Sequence, residues 1–325
     1  MRTTIEAALS DDAEWADAEH AYGDGPDTLK WLREACGDDP ERAGRAIGVL
    51  GGCLVHQSSV YAGSAKAYPV LVKLLCDQAT PRRGDLADLV LGITLGTGET
   101  ERVHLDIRAA HAHAARRLLP LLADPVREVR HRVAYLTGLR TGHEEHTVPA
   151  LRERAWIEPD SLLAAAMTAG AARHPHETRA AWLTACLSPD RSPGVRAAAA
   201  WGLARAELPW PPEATAAVEE AWAHGDVLSG DVIDGEEWRW SENPLAETLH
   251  AMDDHPRAAA VCLRLAREQD ADTAERGVFG ALAHLSEHPG AAPHFAPLVP
   301  LLREHPDTVI RGYAEDVEDL TGTTP

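Results

Sequence analysis

The sequence predicts an all-α protein, an α-solenoid of roughly six or seven stacked helix pairs with one irregular insert. Three observations predict it. Hydrophobic residues make up 45% of the chain, many of them Ala, which pack small-to-small between helices, and no strand is read. The apolar segments "LVKLL" (71–75), "LLPLL" (118–122) and "LVPLL" (298–302) repeat one form, two of them with Pro in the same slot, at Pro120 and Pro300. Short polar turns follow the helices, and a second helix then starts with an apolar residue followed by Arg.

The elements follow in order. "DDPERAGRAIGVLGG" (38–52) is the first, weak match to the repeat, and its Gly48, Gly51 and Gly52 suggest tight helix packing. A polar segment, "HQSSVYAGSA" (56–65), precedes the first apolar helix. The pattern is clear over 116–140, 180–205 and 295–322 and weaker at 270–285, where Arg276 lies 35 residues before Arg311. The turns are "ADPVRE" (123–128), "SPDRSPG" (188–194) and "EHPDT" (304–308); the pairs after them are Val129-Arg130, Val195-Arg196 and Ile310-Arg311. Leu122 to Val129 is seven residues, and Leu187 to Val195 and Leu302 to Ile310 are eight each. A Pro inside a helix removes one backbone bond and bends it. The three arginines are expected in equivalent places, bonding carbonyls or turn carboxylates such as Asp124 or Asp307 between adjacent repeats.

Residues 206–244 break the rhythm, with a helix over 213–223 and then an acidic, Trp-bearing loop. The organisation read is repeats over 1–205, the insert at 206–244 and repeats over 245–325, in one continuous solenoid. Paired helices, Asp/Pro turns and an early Arg in the second helix together resemble HEAT repeats, an armadillo-like class. The first 75 residues also resemble a set of actinobacterial HEAT-repeat proteins. The shared features are Ala21-Tyr22-Gly23 after a Trp, His56-Gln57 with Tyr61 four residues past the Gln, Ser64-Ala65, and Pro69 in an apolar helix. The set's "HQG" is "HQS" here, with Ser58 where a tight turn would use Gly. The resemblance implies the fold and assigns no activity.

Charge excludes some partners. With 31 Lys and Arg against 51 Asp and Glu, 31 − 51 gives −20. Such a surface repels phosphate backbones and anionic membranes and steers basic partners; it also serves plain solubility. Five scattered Cys form no CxxC, so no disulfide framework or structural zinc is expected. Neither a signal peptide nor an 18-residue apolar run is read, so a cytoplasmic protein is expected.

No catalytic, metal or cofactor set is expected. His111/His113 and His174/His176 are two apart and diverge on a helix; His143 and His146 lack the i, i+4 spacing of a zinc-protease helix. There is no Gly-x-Ser-x-Gly, and "LGITLGTGETE" (91–101) lacks the Lys of a phosphate loop.

Two binding candidates remain. One is the insert, where Trp238 and Trp240 offer aromatic anchors rimmed by Asp231, Asp234, Glu236 and Glu237, suited to an Arg- or Lys-rich partner. Alternatively those rings cover one end of the stack. The other is the polar segment: His56, Gln57 and Tyr61 lining a ligand site, or a structural corner in which Ser64 caps the next helix while Gln57 and His56 bond the preceding helix end. The function expected is non-enzymatic protein or peptide binding, with no nucleic acid or membrane involved. The alternatives are an immunity-type inhibitor of a basic toxin or nuclease, and an enzyme with a groove site near His56 and Tyr61.

Overall fold

The computed structural model describes Leu9 and residues 15–16, 18–23, 25–223, 248–249, 251–252 and 254–322. Most described residues are helical, and the chain divides into two compact units between Arg154 and Ala155. No helix among them is long and apolar enough to cross a membrane.

The first unit holds α1 (Gly25–Ala35), α2 (Pro40–Leu54), α3 (Ala62–Cys76), α4 (Arg83–Leu95), α5 (Glu101–Leu118) and α6 (Arg127–Gly138), with α7 (Glu144–Ile157) reaching the boundary. Helices two apart pack on each other: α2 on α4, α4 on α6 and α3 on α5, while α1 also packs on α2. Leu50, Leu54, Leu71, Leu75, Leu86 and Ile93 are completely buried between these rows. Two of these helices start on an acidic or hydroxyl residue, whose side-chain oxygen satisfies backbone N–H groups that the first turn leaves unpaired. Asp39 accepts from Glu41 and Arg42 ahead of α2, and Thr100 accepts from Val103 ahead of α5.

Three two-residue strands, which the sequence reading lacked, interrupt the helices: β1 (Val55–His56), β2 (Ser59–Val60) and β3 (Thr97–Gly98). β1 and β2 form an antiparallel hairpin, and β3 adds to β2 in parallel. Gln57 and Ser58, at φ 50° and 64°, make the hairpin turn. Both residues are left-handed, as a two-residue turn with the strands' twist requires. Ser58 therefore makes a turn that glycine would make at lower cost. Gly96 lets β3 close in: a Cβ there would lie 2.4 Å from Val60 Cγ1.

The second unit holds α8 (Ser161–Ala172), α9 (Arg179–Cys186), α10 (Pro193–Arg205), α11 (Pro212–Ala223), α12 (His255–Leu265) and α13 (Ala271–Glu287), then the short α14 (Ala292–Phe295), α15 (Leu298–Arg303), α16 (Thr308–Gly312) and α17 (Ala314–Thr321). α10 is its centre, packed by α8, α9 and α11. The run Ala197–Ala200 and Trp201 is buried. Gly202 permits the close approach, since a Cβ there would stand 2.5 Å from Ala172 Cβ.

Two of the three expected arginines match. Arg130 Nη1 donates to the carbonyls of Asp124 (2.7 Å) and Pro125 (3.4 Å); Arg311 Nη1 donates to those of His305 (2.5 Å) and Pro306 (2.8 Å). Each closes its own turn rather than bridging repeats. Arg196 differs, pairing with Glu220 of α11 at 2.7 Å; its turn, "SPDRSPG", is differently built from the other two. The Asp124 carboxylate is held instead by Arg83 of α4, at 2.6 and 3.1 Å, and both side chains are buried.

Candidate binding groove

Four glycines on one helix start the site. α2 carries Gly44, Gly48, Gly51 and Gly52, and each mid-helix Gly costs about 0.5–1 kcal/mol relative to Ala. The expected tight packing is not what these positions serve: a Cβ at Gly48, Gly51 or Gly52 would meet nothing within 4 Å. Gly44, Gly48 and Gly51 share a face by their i, i+4, i+7 spacing. That face forms one wall of a groove of about 410 Å³, whose other side is Gly92, Leu89, Asp88 and Asp85 of α4.

The groove floor is apolar, from Ile47, Leu89 and Val55, and its acidic rim is Asp85 and Asp88. Asp85 accepts from Arg82 at 2.7 Å, and Asp88 pairs with Arg132 of α6. Arg82 also leans over Gly44, 3.4 Å from where a Cβ would stand. With an arginine on each carboxylate, the rim offers paired charges that an incoming cation or carboxylate can share. An apolar trough with few polar groups is the general form of a binding site.

β1 links this groove to the predicted polar segment. Successive strand side chains face opposite ways, so Val55 turns into the groove and His56 turns away. The Tyr22 hydroxyl and His56 Nδ1 are hydrogen-bonded at 2.8 Å, with the rings edge to face at 5.0 Å. Around them the strip 18–23 crosses the corner: Ala21 N–H donates to Cys53 O (3.1 Å), and Gly63 N–H donates to Glu19 O (2.8 Å). The Ala21-Tyr22-Gly23 and His56-Gln57 motifs, 34 residues apart, thus meet in space. Gln57 lies exposed in the hairpin turn, and Tyr61 immediately precedes α3.

Ser64 is a corner residue, although not as the first cap of the helix. Its hydroxyl, completely buried, accepts from Tyr61 N–H (2.9 Å) and donates to Leu54 O (2.6 Å), pinning the end of α2 to the start of α3. Burial and the Asp27 carboxylate raise the Cys53 thiol above its ordinary range, the opposite of what a nucleophilic thiolate needs. Trp238, Trp240, Asp231, Asp234, Glu236 and Glu237 lie outside the described residues.

Two features escaped the sequence reading: the open glycine wall and the Tyr22–His56 pair. The i, i+4, i+7 glycines were the available signal, but spacing alone does not separate a packed glycine face from an open one.

Compared with models of protein families the sequence matches none, and compared with curated proteins it finds no relative. Fold and site define a mostly helical protein with an apolar, glycine-walled surface groove.

Proposed function

We propose that the chain is a protein-binding α-solenoid of HEAT-like helix pairs whose groove between α2 and α4 takes an apolar segment of a basic partner. The observation that carries this reading is the glycine wall. Gly48 and Gly51, helix-weakening residues whose missing side chains nothing fills, keep the trough open at a cost in stability. The layering of helices two apart and the matching turns at Arg130 and Arg311 support the repeat reading. The net charge of −20 supports a basic partner, since opposite charge raises encounter rates. A cytoplasmic setting belongs to the same reading.

The experiment is comparative capture from host lysate on wild type, Gly48→Leu and Gly52→Leu. Gly52 shares the helix and also has open space around it, yet does not line the groove. The partner is the protein retained by wild type and Gly52→Leu and lost with Gly48→Leu. Equal retention by all three defeats the groove as the site.

A further inference from the structure

The backbone groups at the ends of the groove are already bonded. At the end of α2, Gly51 O accepts from Val55 N–H, Cys53 O from Ala21 N–H (3.1 Å) and Leu54 O from the Ser64 hydroxyl (2.6 Å). At the end of α4, Gly92 O accepts from Gly96 N–H (3.0 Å) and Val90 O from the Thr94 hydroxyl (2.7 Å). β1 is an outer strand of its sheet and borders the groove through Val55, yet the Val55 N–H is the one that Gly51 O holds.

Such walls select the form of what lies between them. An extended segment carries a free N–H and C=O at nearly every residue. Against Ile47, Val55 and Leu89 those groups would lose water without gaining a partner. An α-helix bonds its own backbone and presents only side chains. Its size also fits. Gly44 to Gly51 is seven residues, about 10 Å along α2 at 1.5 Å per residue, which is two turns of a helix lying alongside. Space is open at Gly48 and Gly51, while the Arg82 side chain, 3.4 Å from where a Gly44 Cβ would stand, closes that end. A glycine face lets a neighbouring helix approach more closely than larger side chains allow.

We infer that the groove holds one amphipathic α-helix of the basic partner, with apolar residues at i, i+4 and i+7 against the glycines and Lys or Arg on the flank towards α4. The flank follows from charge. Asp85 and Asp88, three apart, share a side of α4, and their side chains stay 41% and 53% exposed beside their arginines. A carboxylate has about four acceptor sites, so each can take a further cation. The inference rests on the groove reading above and names the form of its occupant.

The test uses two displayed libraries of peptides about 15 residues long, selected on wild type after depletion on Gly48→Leu. One library carries Leu, Ile, Val or Ala at i, i+3, i+4 and i+7 with Lys or Gln elsewhere; the other alternates the same residues strictly. The helical library should supply binders that hold Gly52→Leu within twofold of wild type and Gly48→Leu at least tenfold more weakly. A Pro placed at the centre of such a binder should weaken it at least tenfold. Melting curves check that Gly48→Leu is folded, and Gly48→Ala replaces it if it is not. Gly48-dependent binders of equal or greater affinity from the alternating library, or indifference to the central Pro, overturn the helix and leave the groove standing. Absence of Gly48-dependent binders from both libraries overturns the helix and the groove together.

Discussion

At the scale of single residues, two buried polar groups should dominate the first unit's response to mutation and pH. Arg83 and Asp124 form a two-bond ion pair in the interior, and Asp124 Oδ1 also accepts from Val126 N–H at 2.9 Å. Removing one partner leaves the other charge buried and unpaired, which costs roughly 3–5 kcal/mol. Asp124→Ala should lower unfolding stability by that amount in denaturant titrations. Arg83→Met with Asp124→Leu should recover much of the loss, because an apolar pair leaves no orphan charge. His111 is the second group. Its Nδ1 accepts the Tyr68 hydroxyl at 2.8 Å and its Nε2 faces Leu136 O at 3.0 Å. Burial pushes its pKa down to about 4 from 6.5. The unfolded chain therefore takes up the proton first as pH falls, so the stabilisation is complete above pH 6.5 and is lost towards pH 4. Between pH 7 and 4.5 this group should remove about 2–3 kcal/mol. His111→Gln should reduce that pH-dependent loss by a similar amount. The sequence showed His111 only as half of a diverging pair; its packing against Tyr68, 43 residues away, is tertiary information.

At the scale of elements, α2 is where stability and function pull apart. Ala in place of Gly in a helix stabilises by about 0.5–1 kcal/mol where space allows. Both Gly48→Ala and Gly52→Ala should therefore raise the melting temperature, and only Gly48→Ala should weaken partner binding. Equal effects of the two on binding would detach the groove from function. The corner that follows α2 was legible from Ser64, which bonds the helix end, but not from Gln57 and His56, since His56 bonds Tyr22 and Gln57 lies exposed in the turn. Its hairpin was not, because two-residue strands leave no alternation to read and the turn uses Gln57 and Ser58 in place of the usual Asn-Gly. The turn arginines were legible at Arg130 and Arg311, where the turn carbonyls follow from local spacing. They failed at Arg196, whose partner, Glu220, comes from another helix.

At the scale of the whole molecule, helical class followed from repeated apolar segments and Ala content, signals spread over the chain and so robust to local error. The groove did not, since it depends on what fails to pack against α2. A charge of −20 should make association salt-sensitive: raising NaCl from 0.05 to 0.5 M should slow association with the captured partner at least tenfold. An affinity indifferent to salt would assign the charge to solubility alone. The most direct measurement is a titration of that partner into three proteins: wild type, Gly48→Leu, and Trp238→Ala with Trp240→Ala. The groove account predicts a loss of about 2 kcal/mol or more for Gly48→Leu, the scale of a central contact, and binding within twofold of wild type for the tryptophan variant. Wild-type affinity for Gly48→Leu, with binding abolished in the tryptophan variant, would contradict it and move the site to the insert.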